Sequence, residues 1–245
     1  QGAARMRLLV ADRQLAADRL PPKLRSRVLV ERGIQLDHLG LADGAKNAFD
    51  DALKLDADNA EVHGAMAVNA LLRRQDGEAV EHAGRALALS PNDTAPRYTR
   101  VYARYFEGQL PDARDELKEI LQSSAEVERS YAGIWLYLVS RRLGDEAGAK
   151  AVQMPSDSQP AWPFAVLQLM QGRLDLDAAL VVAREDAKTR PGRECELYFY
   201  AAQKALADQD VARARTLLRK SVDTGVVEFS EYAMAKRELD RIGAR

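Results

Sequence analysis

Cysteine occurs once in these 245 residues, so no intramolecular disulfide framework is available. Cys195 stands inside a helical pattern, the usual setting of a small buried apolar side chain, and leaves the redox compartment open. No apolar run reaches the roughly 18 residues that a membrane-spanning helix needs. Aromatic residues make up only 6% of the chain and alternating β-branched runs are scarce, which excludes a sheet architecture. Neither charge dominates: 36 Lys and Arg face 37 Asp and Glu, for a net charge of -1, with no long block of one sign. That balance gives no compositional pointer to nucleic acid or to an anionic membrane surface. There is no Gly-rich phosphate loop and no G-x-S-x-G. His38, His63 and His82 share no i, i+3 or i, i+4 spacing and have no cysteines beside them, so no metal site is expected. Catalytic residues and cofactors are likewise expected to be absent, and the chain reads as a non-enzyme. It opens Gln1-Gly2-Ala3-Ala4 instead of with methionine, the mark of a processed or truncated chain, so the absence of a secretory signal excludes nothing.

Helix formers (Ala, Leu, Arg, Glu, Lys, Gln) are abundant, and the fold expected is all-α. Ala45, Ala79, Ala113 and Ala147 recur 34 positions apart. The same frame sets Gly33 at the eighth position of a first unit, Gly40 and Gly108 at inter-helix turns, and Ala52, Ala86 and Pro91 at the ends of units. This is the tetratricopeptide period, in which helix-turn-helix units that cannot bury their apolar faces alone stack into a solenoid. About five units are expected, the fourth degraded.

The organisation read from this frame has four parts. Residues 1–22 form an N-terminal helix, broken at Pro21-Pro22 and a candidate dimer seam through Met6, Leu8, Leu9 and Val10. Residues 23–153 hold repeats one to four, with turn chemistry at Asp56-Ala57-Asp58-Asn59 and a stop at Pro91. Residues 154–192 are a divergent helical pair, interrupted by Pro155, Pro160 and Pro163 and read as helices 164–171 and 176–189. Residues 193–245 return to the repeat pattern through Tyr198, Ala202, Ala214, Leu218 and Ser221, and end in a capping helix over 228–242.

Val30-Glu31-Arg32-Gly33-Ile34 with Leu39-Gly40-Leu41, then Ala48-Phe49 and Ala52-Leu53, resembles the first repeat of the NlpI-type lipoproteins, tetratricopeptide proteins of the bacterial outer membrane. Trp135-Leu136-Tyr137-Leu138, Trp162 before a short apolar helix, and Phe199-Tyr200 resemble that family in order and spacing, over roughly residues 26 to 240. The resemblance implies a periplasmic homodimer, anchored to the outer membrane, that brings a tail-specific protease to peptidoglycan endopeptidases. It also implies a lipidated cysteine ahead of the mature domain, which is missing here. Either the chain is cut after that residue, or it is not a lipoprotein. Arg97, Arg100 and Arg104 stand where the repeat consensus has packing residues. The alternative is an intracellular tetratricopeptide module that assembles a complex through its groove.

In tetratricopeptide arrays, positions 2, 5, 9, 12 and 13 of each first helix face the groove. They supply Arg27, Val30, Ile34, Asp37 and His38 from unit one, Val68 and Leu71 from unit two, and Tyr98, Tyr102, Tyr105 and Phe106 from unit three. The tyrosines offer large rigid area with polar tips for a partner chain, or else pack between helices where the arginines do not. Val30 and Ile34 occupy the places where a chaperone-tail clamp needs Lys and Asn, which argues against that receptor class.

Overall fold

The computed structural model describes residues 2–16, 20–122, 126–152 and 162–243. Among them are fourteen helices and no strand. These are α1 (Gly2–Leu15), α2 (Pro22–His38), α3 (Ala42–Leu55), α4 (Ala60–Leu72), α5 (Asp76–Leu89), α6 (Thr94–Glu107), α7 (Leu110–Leu121), α8 (Glu126–Arg142), α9 (Glu146–Ala151), α10 (Phe164–Met170), α11 (Leu176–Ala183), α12 (Arg190–Ala207), α13 (Val211–Asp223) and α14 (Ser230–Gly243). They fall into two compact units, Gln1–Ala113 and Arg114–Arg245.

Among the described residues one local device repeats six times. A residue with positive φ closes the first helix of a pair: Gly40 (77°), Arg74 (63°), Gly108 (90°), Gly144 (77°), Gly172 (74°) and Gln209 (62°). Glycine takes this left-handed conformation without strain, and Arg74 and Gln209 take it at modest cost. The second helix follows, and the residue four places beyond its cap is always alanine: Ala45, Ala79, Ala113, Ala149, Ala179 and Ala214. Each alanine donates its N–H to the cap carbonyl at 2.9–3.1 Å, and each is fully buried.

This register corrects the sequence frame at the fourth pair. Gly144 comes 36 residues after Gly108, so the close-packed alanine is Ala149, and Ala147 is exposed. The divergent pair α10–α11 keeps the same cap-and-alanine geometry, so the described residues hold six helical pairs where five units were expected. α11 stops at Ala183, six residues short of the expected end. Beyond it, Asp186 Oδ1 accepts from the Lys188 N–H (2.9 Å) and Oδ2 from the Thr189 hydroxyl (3.0 Å), a local turn that competes with the helix. Pro191 lies in the first turn of α12, where a missing N–H costs nothing. The proline segment from Met154 to Pro160 lies outside the described residues.

In the first unit, α2, α4 and α6 run as neighbours, with α1 against α2. Leu29, Val30, Leu36, Phe49, Val62 and Met66 form its core. Gly33 makes room for the Phe49 ring: a Cβ there would stand 2.6 Å from Cζ. The Ser26 hydroxyl donates to the Ala52 carbonyl (3.1 Å), tying α2 to α3. Asn59 and Asp93 cap α4 and α6 with their side chains.

In the second unit, Trp135, Phe199 and Tyr200 pack as one aromatic cluster with ring centroids 5.2–6.3 Å apart. The Tyr137 hydroxyl donates to the Met170 carbonyl (2.6 Å), joining α8 to α10. Arg141 and Asp208 pair at 3.0 Å. α14 packs on α12 and α13, and its Ile242 carbonyl accepts from Arg215 (3.0 Å).

Candidate partner-binding face

The first helix of each pair in the first unit presents equivalent positions side by side, because α4 lies between α2 and α6. The eleven expected groove residues divide by burial. Val30 (1% exposed), Tyr105 (4%), Leu71 (9%) and Tyr102 (9%) are buried. Val30 belongs to the hydrophobic core, which makes it a packing residue and not groove lining. Ile34, Tyr98, His38 and Phe106 are half-buried, Arg27 is exposed, and Val68 is 43% exposed. The apolar residues of this set that are not buried are thus Ile34 on α2, Val68 on α4, and Tyr98 and Phe106 on α6.

Of the tyrosine readings, the structure divides the rings. Tyr102 and Tyr105 pack inward with Val101 and Ala103, while Tyr98 sits half-open, 6.0 Å from the Tyr102 ring. Phe106 meets Tyr105 edge-on at 5.5 Å. The three arginines are half-buried along α6, and Arg97 donates to the Pro91 carbonyl (2.7 Å).

Asp37 is not an available groove carboxylate. Asn69 Nδ2 donates to its Oδ1 (2.7 Å) and to the Ala42 carbonyl (2.9 Å), so one amide links α2, α3 and α4. Burial pushes the Asp37 carboxyl up to about 7, against the pull of Asn69 and Arg73. Of the four seam candidates on α1, Leu8 turns inward and packs against the first-unit core. Met6, Leu9 and Val10 are exposed on the opposite side.

Two polar clusters escaped the sequence reading. His63 on α4 and His82 on α5, which share no short helical spacing in the sequence, face each other at 3.0 Å between Nδ1 atoms. Their positions, 4 and 23 in the 34-residue frame, lie across one hairpin; that was the available signal. In the second unit, Glu196 (6% exposed) and Glu231 (5%) are both buried. Tyr131 and Trp162 donate to Glu196 Oε2 at 2.8 and 3.1 Å, and Tyr200 donates to Glu231 Oε1 at 2.8 Å. Burial first, and Glu231 second, push Glu196 up to about 8. The signal was a lone acid inside the apolar run Cys195-Glu196-Leu197-Tyr198-Phe199-Tyr200.

Cys195 is buried beside the Ser221 hydroxyl (3.3 Å), and burial pushes its thiol up to about 11, which makes it a poor nucleophile. Among the described residues no three His, Cys, Asp or Glu side chains converge as a metal site, and no helix is long and apolar enough to cross a membrane.

No protein-family model matches the chain. By structure it is similar to a tetratricopeptide repeat protein from Parabacteroides merdae, at TM-score 0.55 and 17% identity, over 96% of this chain and 90% of that one. It is also similar to a thermophilic TPR protein of Thermus thermophilus, at 0.52 and 16%, over 90% of this chain and all of that one. A third is PilW, described as a widely conserved type IV pilus biogenesis factor, at 0.51 and 15%, over 85% and 97%. At these identities the likeness is one of fold: the chain is an all-α helical solenoid of tetratricopeptide type.

Proposed function

We propose that this protein is a non-enzymatic scaffold that binds other polypeptides, one of them on the strip formed by Ile34, Val68 and Tyr98. The observation that carries this is Val68, 43% exposed in the middle of a helix whose other large apolar side chains are buried or half-buried. An apolar side chain left open at a repeat-equivalent position is what a partner segment would cover. The fold supports the same reading, since stacked helical pairs supply extended binding surfaces.

The finer reading rests on the resemblance to NlpI-type lipoproteins. On it, the scaffold is a periplasmic adaptor that brings a tail-specific protease to peptidoglycan endopeptidases, gaining rate through effective concentration. It acts as a homodimer held at the outer membrane by a lipid-bearing cysteine outside these 245 residues. The test adds the purified chain to such a protease with an endopeptidase as substrate. Faster degradation that a Val68→Asp variant loses is expected. Unchanged degradation, with no co-elution of either protein, would overturn the adaptor reading, and light scattering at one protomer mass would overturn the dimer.

A further inference from the structure

We propose that the outer face of α1 is a docking surface for an anionic lipid bilayer. Ala4, Leu8, Ala11 and Leu15 fall on one side of this helix, where Ala4 and Ala11 are buried and Leu8 and Leu15 pack on the first-unit core. The helical period then sets Met6, Leu9, Val10 and Arg13 on the opposite side. Met6 is 64% exposed, Leu9 54% and Val10 48%. Among the described residues no other helix carries more than one exposed large apolar side chain.

The N-terminal stretch of the sequence is basic. Residues 1–30 hold seven Lys and Arg against two Asp, net +5, while residues 31–245 carry net -6, so the whole-chain balance conceals a segregated field. The acid within α1, Asp12, is engaged by Arg32 of α2 at 2.8 Å. Arg5, Arg7 and Arg13 on α1 take part in no side-chain hydrogen bond or ion pair among the described residues.

Three occupants compete for such a face. A second copy docking α1 on α1 would bring Arg5 and Arg13 against their own equivalents, which like-charge repulsion opposes. A protein partner anchors large side chains in pockets, and a single helix ridge offers none. A bilayer interface accepts a convex apolar ridge, lets arginine stems lie along it, and rewards each unpaired cation near anionic headgroups. Three apolar side chains alone anchor weakly, so attachment is reversible and depends on lipid charge. The scaffold would then lie with its first unit against a membrane, whatever partner it carries.

Sedimentation with phosphatidylcholine vesicles, with and without about 30% phosphatidylglycerol, tests this directly, since each basic residue near an anionic surface is worth roughly a fivefold factor. Wild type is expected to bind the anionic vesicles at least about tenfold better than the neutral ones, and to detach as salt rises toward about 0.5 M. Arg5→Gln with Arg13→Gln should weaken binding about 25-fold. Met6→Ser with Leu9→Ser should also weaken it, with melting unchanged because the positions are exposed. A Met6→Trp variant should shift its emission to the blue on anionic vesicles. Equal binding to both vesicle types, or binding indifferent to these substitutions, overturns the proposal. Loss of a solution dimer in Met6→Ser/Leu9→Ser, without vesicle binding by wild type, assigns the face to a second copy instead. Equally tight, salt-sensitive retention on polyglutamate, without the Trp shift, assigns it to an acidic polypeptide.

Discussion

The Nδ1 atoms of His63 and His82 stand 3.0 Å apart, so one ring holds a proton between them and the other must not. Burial first, and the neighbouring His63 second, hold His82 below the ordinary 6.5, with Glu78 and Glu81 pulling the other way and Lys46 reinforcing the decrease. A histidine depressed in the folded state contributes stability that is present above the ordinary value and lost as pH falls through the folded one. Asp37 in the same unit has the opposite sign, its stabilisation lost as pH rises toward about 7. The histidine share is therefore read by difference. The change in urea midpoint from pH 7.5 to 5 should be less favourable in wild type than in His82→Gln; equal changes would mean that His82 contributes nothing to the pH dependence.

Glu196 and Glu231 predict an alkaline weakness in the second unit. Both carboxyls are raised by burial, Glu196 to about 8, so the folded state keeps a proton that the unfolded chain gives up near 4.5. Stability is fully present at acid pH and is lost as pH rises from about 4.5 through about 8. Glu196→Gln keeps an acceptor for Tyr131 and Trp162 but cannot ionise. The denaturation midpoint of wild type should drop between pH 6 and 9, and that of the variant should drop less. An equal drop in both would remove these carboxyls as the cause.

Gly33 is held by the Phe49 ring, not by backbone conformation, since its added Cβ would stand 2.6 Å from Cζ and 2.7 Å from Cδ1. Gly33→Ala should cost about 1–3 kcal/mol through overpacking, against a helix-propensity gain of about 1 kcal/mol. The melting temperature should fall by several degrees, and Phe49→Leu in the same chain should return part of the loss. If the double variant melts no higher than Gly33→Ala, the clash is not the mechanism.

What was legible in the sequence was whatever the helical period repeats. Ala45, Ala79 and Ala113 announced their close packing because a 34-residue interval needs no knowledge of tertiary structure. Ala149 did not, because the turn at Gly144 comes two residues late and an alanine also stands at the frame position, 147. The motifs that carry the family likeness, Trp135 and Phe199-Tyr200, are buried packing residues. They speak for how the second unit is built more than for what it binds. Val30 has a groove position in the repeat frame, yet it sits in the core with Phe49 of α3 and Val62 and Met66 of α4. The His63–His82 and Glu196–Glu231 pairs depend on which faces meet across helices, and neither carries a repeat signature. The charge of residues 1–30 was hidden for a simpler reason: a sum over the whole chain erases its distribution.

Tyr102 and Val68 separate the structural from the recognising part of the partner-binding face. Both stand at the ninth frame position of neighbouring helices, but Tyr102 is 9% exposed and Val68 is 43% exposed. Tyr102→Ala empties a packed site and should cost about 3–5 kcal/mol, the usual range for losing a buried aromatic ring. Val68→Asp places a charge in water and should leave stability within about 0.5 kcal/mol. Against a partner that seats an apolar side chain on the strip, the same charge must be buried beside hydrocarbon, and affinity should fall at least about tenfold. Calorimetric binding and thermal melting on both variants give four numbers. Unchanged affinity in Val68→Asp would move the partner off this strip, whatever Tyr102→Ala does to the melt.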